Sequence, residues 1–234
     1  MQVTQLWCYP VKSMAGVRLE TATVGPLGID GDRQWGLVDR STGLVLTARR
    51  VPELLFAEPV PRGEGMAVRL PDGTVTDDDA DLSAWLGRDV ELRRPRPDER
   101  GRYEIAENDD RPDGDWIRWQ GPKGVWHDSN RTRLSIISED ALHDWDVRRF
   151  RANVYVAGGD ERELLGRDIA IGEVAGTVVK EIDRCVMVTR PQAGIERDKS
   201  VLVQVHAERG GNLGVGVLVT GAGTIRVGDV VEPR

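Results

Sequence analysis

Four short segments each set a cation beside residues that restrict the backbone: YPVKSMAG (9–16), GIDGDRQWGLVD (28–39), FRANV (150–154) and DRCVMVT (183–189). Their cations are Lys12, Arg33, Arg151 and Arg184. Guanidinium groups pair bidentately with phosphate and a lysine adds a point charge, so together they suit an anionic ligand. Pro10 limits the chain before Lys12 and Ser13, and Gly28 and Gly31 make a turn that presents Asp32 and Arg33. Cys185 has two readings: a small hydrophobe of the core, or a thiolate kept for chemistry. In a regular strand Arg184 and Cys185 face opposite ways, so both reach one ligand only where the strand ends or bulges. Arg184 therefore ranks below Arg33 and Arg151.

The elements that must position these residues read mostly as strands. GVRLETATVG alternates as a half-buried strand, WGLVDRSTGLVLT reads as a hairpin around residues 39–43, and MAVRLPDGTVT carries Asp72-Gly73 between alternating runs. DDDADLSAWLGR predicts a short helix with an acidic first turn, stopped at Gly87. Residues 93–115 are rich in charge and proline, and the arginines at 93, 94 and 96 read as solvated linker charge. In the second half HDSNRTRLSIIS is a polar turn entering a strand, and SEDALHDW predicts a helix capped by Ser138. NVYVAGG, IAIGEV, GTVVKEI, VLVQV, GVGVLV and TIRVGDVVE read as further strands between glycine-rich turns. Many short strands and few helices predict an antiparallel barrel or sandwich, a mostly β protein.

Composition narrows the function classes. The 234 residues carry a formal net charge of −7, which argues against nucleic acid and anionic lipid as general partners. No apolar run approaches the ~20 residues a membrane helix needs, and the N-terminal residues have no secretory-signal pattern. Two cysteines, Cys8 and Cys185, make no disulfide framework, and a cytoplasmic location is the default expectation. His127, His143 and His206 are too scattered to predict a zinc site. The seven tryptophans read as barrel core and linker packing.

In order and spacing, YPVKS, GDRQW, FRANV, RCVMVT and the closing GTIRVGDVV resemble the MOSC domain proteins over nearly the whole chain. These are relatives of the molybdenum cofactor sulfurase C-terminal domain and of the mitochondrial amidoxime-reducing component. The resemblance implies an N-terminal MOSC β-barrel domain at 1–95, a linker or surface excursion at 96–115 and a MOSC domain at 116–234. It implies the molybdenum cofactor, with Cys185 as the protein ligand of molybdenum and the catalytic residue. Lys12, Ser13, Arg33, Arg151 and Asn153 match the family's contacts to the molybdopterin and its phosphate. Asp128, Ser129 and Thr132 fall where further contacts lie, and Arg184 completes the Arg-Cys motif.

The activity implied is reduction of N-hydroxylated small molecules by oxygen-atom transfer to molybdenum. The chain carries no flavin, haem or iron–sulfur motif, so the electrons are expected from an external electron-transfer protein, and the enzyme is expected to be a monomer. Two alternatives stay open: a sulfur carrier using a Cys185 persulfide, and a non-catalytic carrier of the cofactor. Val188 stands where the family often has the first Thr of a pair, Thr189 keeps the second, and Arg190-Pro191 replaces an acidic turn. That departure falls on the substrate side. Cys8 reads as core, with a second thiol at the site as the other possibility.

Overall fold

The computed structural model describes residues 1–106 and 115–234. Its main sheet has eight strands in the spatial order Val231–Pro233, Asp168–Ile171, Val174–Asp183, Asn212–Gly221, Leu134–Ser138, Val154–Ala157, Gln2–Cys8 and Val17–Leu19. Neighbours run antiparallel except Leu134–Ser138 beside Val154–Ala157, which run parallel. The register slips repeatedly where Val174–Asp183 pairs with Asn212–Gly221, and such bulges bend and twist a strand, curling the sheet. Its inner face buries Leu6, Ile136, Val154, Val215 and Val217 in one core, which Val24 of the separate strand Thr21–Gly25 joins.

A second core gathers residues of the first half, among them Val11, Met14, Leu37, Leu54, Val68, Leu82 and Val90. The chain does not divide cleanly between the cores. Gln2–Cys8 lies beside Val154–Ala157, with Leu6 opposite Val154, and Thr21–Gly25 pairs with Gly223–Arg226. The opening strands are thus built into the second half. The fold is mostly β, with two α-helices among the described residues.

Several expectations hold at the level of individual turns. Asp72 accepts a hydrogen bond from the Thr74 amide (2.9 Å) inside the hairpin joining Gly65–Arg69 to Val75–Thr76. The helix Asp79–Leu86 is capped by the Asp78 carboxylate, which accepts from the Ala80 amide, and ends at a left-handed Gly87. Others need correction. The run Gly36–Asp39 has Val90–Arg93 as its strand partner. The expected turn-back of the following apolar run is held by a Val38–Val45 bridge and by the Asp39 and Leu46 amides, which donate to the Leu44 (2.9 Å) and Leu37 (2.8 Å) carbonyls, without a second full strand. Ser138 does cap a turn, but only the 3-10 turn Glu139–Ala141 follows, because His143 takes a left-handed backbone (φ 52°) that no helix continues through. VLVQV is part of the helix Ser200–Arg209, not a strand. Arg100–Ala106, expected within a linker, pairs with Trp116–Lys123 as an antiparallel hairpin, since Tyr103 and Ile105 give it an apolar face. The remainder of that expected linker, residues 107–114, lies outside the described residues.

Candidate functional site

A cleft of about 480 Å³ is walled by both halves of the chain and by the hairpin. All ten residues singled out in the sequence line it: Lys12, Ser13, Arg33, Asp128, Ser129, Thr132, Arg151, Asn153, Arg184 and Cys185. Three of them share a backbone feature. Ser13 (φ 68°), Arg33 (φ 51°) and Arg151 (φ 54°) are left-handed, and His143 is the other described non-glycine residue of that kind. For an L-residue this conformation costs about 1–2 kcal/mol. Such strain persists where the surroundings over-determine it.

The surroundings here are a buried polar cluster around Asp32. Its carboxylate accepts from the Tyr9 amide (2.7 Å) and from Asn153 Nδ2 (3.2 Å), and it pairs with the Arg33 guanidinium. Arg33 also donates to the Arg151 carbonyl (3.0 Å), and Arg151 to the Met14 carbonyl (2.5 Å). Both guanidinium groups stack on the Tyr9 ring, at 4.8 and 4.4 Å from its centroid. Burial would lower the Arg33 pKa, but Asp32 reverses this and leaves it raised. Burial also dominates at Arg151, whose pKa falls to about 10, with Arg33 lowering it further. The second amide contact of Asn153 is the Trp7 carbonyl (3.2 Å), and its Oδ1 accepts from Ser135 Oγ (3.2 Å).

Lys12 is buried, lies 4.6 Å from the centroid of the Tyr103 ring, and donates to Asp128 Oδ1 at 2.8 Å. Burial lowers its pKa to about 8, against the raising effect of Asp128. Desolvation would raise the Asp128 pKa, yet Lys12 and Arg49 hold it well below the usual carboxylate range. His127 is buried beside Asp32 (Nε2 to Oδ2, 3.6 Å), its Nε2 makes no hydrogen bond, and burial lowers its pKa to about 3, so the ring is neutral. Ser129 Oγ is spent within its turn, accepting from the amides of Arg131 and Thr132.

The strand carrying the Arg-Cys pair ends at Asp183, and a 3-10 turn begins at Val186. Both side chains therefore reach the cleft, as a strand end allows. Arg184 donates to the Phe150 carbonyl (2.9 Å) and, through Nε, to that of Leu213 (2.7 Å). Cys185 is partly exposed, and Arg49 Nε donates to its sulfur at 3.5 Å. Arg190 Nη2 donates to the Arg49 carbonyl (3.3 Å), and Arg149 donates to the Val188 carbonyl (3.3 Å), fixing the segment that follows Cys185. Among the described residues no three His, Cys, Asp or Glu cluster as a metal site, and Cys185 is the cysteine that lines the cleft. Cys8 belongs to the sheet core, and burial raises its pKa to about 12, so it is a packed thiol.

Sequence reasoning missed Arg49, Tyr9, His127 and Trp119 as site residues, and named Asp32 only as part of its turn. Tyr9 and Asp32 adjoin the motif cations, which was the available signal; Arg49 reaches Cys185 only through tertiary structure. Trp119 lines the cleft and lies under Arg49 (5.6 Å), contrary to the reading of all tryptophans as core or linker packing.

Residues 1–91 match the family described as the MOSC N-terminal beta barrel domain, and residues 126–232 match the MOSC domain. The chain is 25% identical to the molybdenum cofactor sulfurase of Drosophila melanogaster, over 94% of its own length and 31% of that protein's. It is 26% identical to the sulfurase of Drosophila ananassae, over 94% of its own length and 32% of that protein's. It therefore spans about a third of the length of these relatives. Among solved structures, the YuaD protein from Bacillus subtilis is similar at a TM-score of 0.45 and 14% identity, covering 98% of this chain and 93% of that chain.

Proposed function

The chain belongs to the MOSC family, an N-terminal MOSC β-barrel domain followed by a MOSC domain, and from that premise we propose that it binds the molybdenum cofactor in the cleft and reduces N-hydroxylated substrates there. One observation carries the reading: a partly exposed thiol and three buried or half-buried cations line the same cleft. The donor set fits the group. Cys185 offers a soft sulfur, as a sulfur-ligated molybdenum centre requires. Arg33 and Arg151 offer N–H donors and Lys12 a point charge to a terminal phosphate. Asp128 accepts hydrogen bonds only, so it suits the pterin's N–H donors and not the phosphate.

When bound, the cofactor would supply the two-electron redox chemistry by which R–NHOH, two electrons and two protons become R–NH2 and water. The electrons come from a separate electron-transfer protein with a flavin, haem or iron–sulfur centre. The residues of this chain bind and orient. Cys185 gives its sulfur, Arg49 holds that sulfur in place, and Asp32 fixes Arg33 and Asn153 together. Ser13 and Thr132 line the wall beside them, and Arg184 ties the Cys185 segment to the Phe150 and Leu213 carbonyls. His127, kept neutral, leaves a ring nitrogen in the wall without a hydrogen-bond partner.

A second reading has its own support, since the named relatives are sulfurases and Cys185 is a free thiol. In it Cys185 carries a persulfide to another centre. One comparison separates the two: molybdenum, pterin and persulfide content, with N-hydroxyl reduction driven by a chemical electron donor, for wild type and Cys185→Ser from a cofactor-competent host. The reductase reading expects molybdenum and turnover in wild type, and a folded serine variant that keeps pterin but loses turnover. Full activity in the serine variant would overturn it. A metal-free, inactive wild type that carries a persulfide would establish sulfur transfer instead.

A further inference from the structure

We propose that the hairpin formed by Arg100–Ala106 and Trp116–Lys123 is the substrate-selecting wall of the cleft, and that it selects for a larger apolar body behind the N-hydroxyl group. This rests on the reductase reading above. The pairing sets Tyr103 opposite Trp119, Glu104 opposite Arg118 and Ile105 opposite Ile117. Directly opposed residues share a face and successive residues alternate, so the hairpin has one face of Tyr103, Ile105, Ile117 and Trp119. Its other face carries Arg102, Glu104, Arg118 and Gln120, with an Arg118–Glu104 ion pair at 3.1 Å.

The apolar face is turned to the cleft. Ile105, Ile117 and Trp119 line it, whereas Glu104 and Arg118 line a separate pocket of about 230 Å³. Tyr103 anchors the inner end, fully buried, its ring 5.1 Å from that of Trp119. Outward from there, Ile117 is 52% exposed. A hairpin serving only solubility would turn its charged face outward and bury the isoleucine pair against the protein. Here the pair faces an open cleft that Cys185 also lines, with Met187 of the same segment adding a further apolar wall. An exposed apolar surface continuous with a pocket marks a place for ligand. The hairpin falls between the family-matched segments, which end at residue 91 and resume at 126.

The test uses two amidoximes that share a head and differ in body, benzamidoxime (phenyl) and acetamidoxime (methyl), with the protein from a cofactor-competent host. Binding is measured by calorimetry and turnover with a chemical electron donor, for wild type, Ile117→Asp, Ile105→Ser and the opposite-face control Arg118→Ala. Wild type and Arg118→Ala should bind the phenyl compound at least about tenfold more tightly, the discrimination a modest apolar contact supplies. Ile117→Asp and Ile105→Ser should lose that preference with acetamidoxime binding unchanged. Equal binding of the two compounds by wild type, or a preference that survives Ile117→Asp, would overturn the proposal. If wild type prefers the phenyl compound but reduces neither, the reductase reading fails while the selecting wall stands. If it reduces both with no preference, the wall fails and the reading stands.

Discussion

At Ser13, Arg33 and Arg151 a glycine would hold the left-handed backbone more cheaply, so the side chains are what these positions keep. Each of the three turns its residue toward the cleft while neighbouring atoms are fixed by Asp32, Tyr9 or the Met14 carbonyl. Lys12 extends the same logic and gives a pH signature. Burial takes its pKa from 10.5 to about 8, and Asp128 only partly offsets this. Between those pH values the unfolded chain binds the proton and the folded one does not, so stability rises with pH across the window. The gain is complete above about 10.5 and is lost as pH falls through about 8. Ligand-free wild type should therefore gain stability relative to Lys12→Met between about pH 7 and pH 9.5, read from denaturant midpoints. Asp128 is ionised throughout that range and cancels from the comparison. A difference that stays constant with pH would show that Lys12 is not held in its neutral-favouring environment.

The helix Ser200–Arg209 shows how a single element escapes the sequence. Val201, Val203 and Val205 alternate with Leu202 and Gln204, which reads as a β-branched strand. In the structure Val201 and Val205 are buried on one face, one helical turn apart, and Val203 is 68% exposed. Local chemistry supports the turn: Asp198 accepts from the Ser200 amide (2.8 Å), and a left-handed Gly210 closes the far end. Val205→Ala should destabilise by about 2 kcal/mol through the cavity it leaves, while Val203→Asp should stay within about 0.5 kcal/mol of wild type. Equal losses at the two positions would mean that they share a face, as in a strand. The same distinction explains what was legible at the site. Lys12, Arg33, Arg151 and Cys185 stand in short motifs whose order and spacing resemble those of the MOSC proteins, and it is that resemblance, not any local turn, that implies a shared cleft. The hairpin could not be anticipated, because Arg100, Arg102 and Glu104 on its outer face mask the alternation of Tyr103 and Ile105. Nor could Arg49, which meets Cys185 across 136 residues of chain.

At the scale of the whole molecule, the cleft exists because the halves are interlocked and not merely adjacent. Gln2–Cys8 fills the place between Val154–Ala157 and Val17–Leu19 in the main sheet, and Thr21–Gly25 pairs with Gly223–Arg226 near the other terminus. Val3, Leu6, Ala22, Val24 and Ile29 complete the core of the second half. In return Met187, two residues past Cys185, packs against the core of the first half. A chain of residues 116–234 alone would leave Val154–Ala157 as a bare sheet edge and expose that core, an arrangement prone to association. It should therefore be unfolded or aggregated, with no cooperative thermal transition by circular dichroism. Fusing residues 1–30 to it through a flexible linker should restore the sheet and the transition, though not the cleft, which also needs Arg33, Arg49 and the hairpin. The full chain should unfold in one transition, the same by near- and far-ultraviolet signals. A cooperatively folded 116–234 fragment would show that the second half carries a complete core, and that the first strands are an addition to the sheet and not part of its foundation.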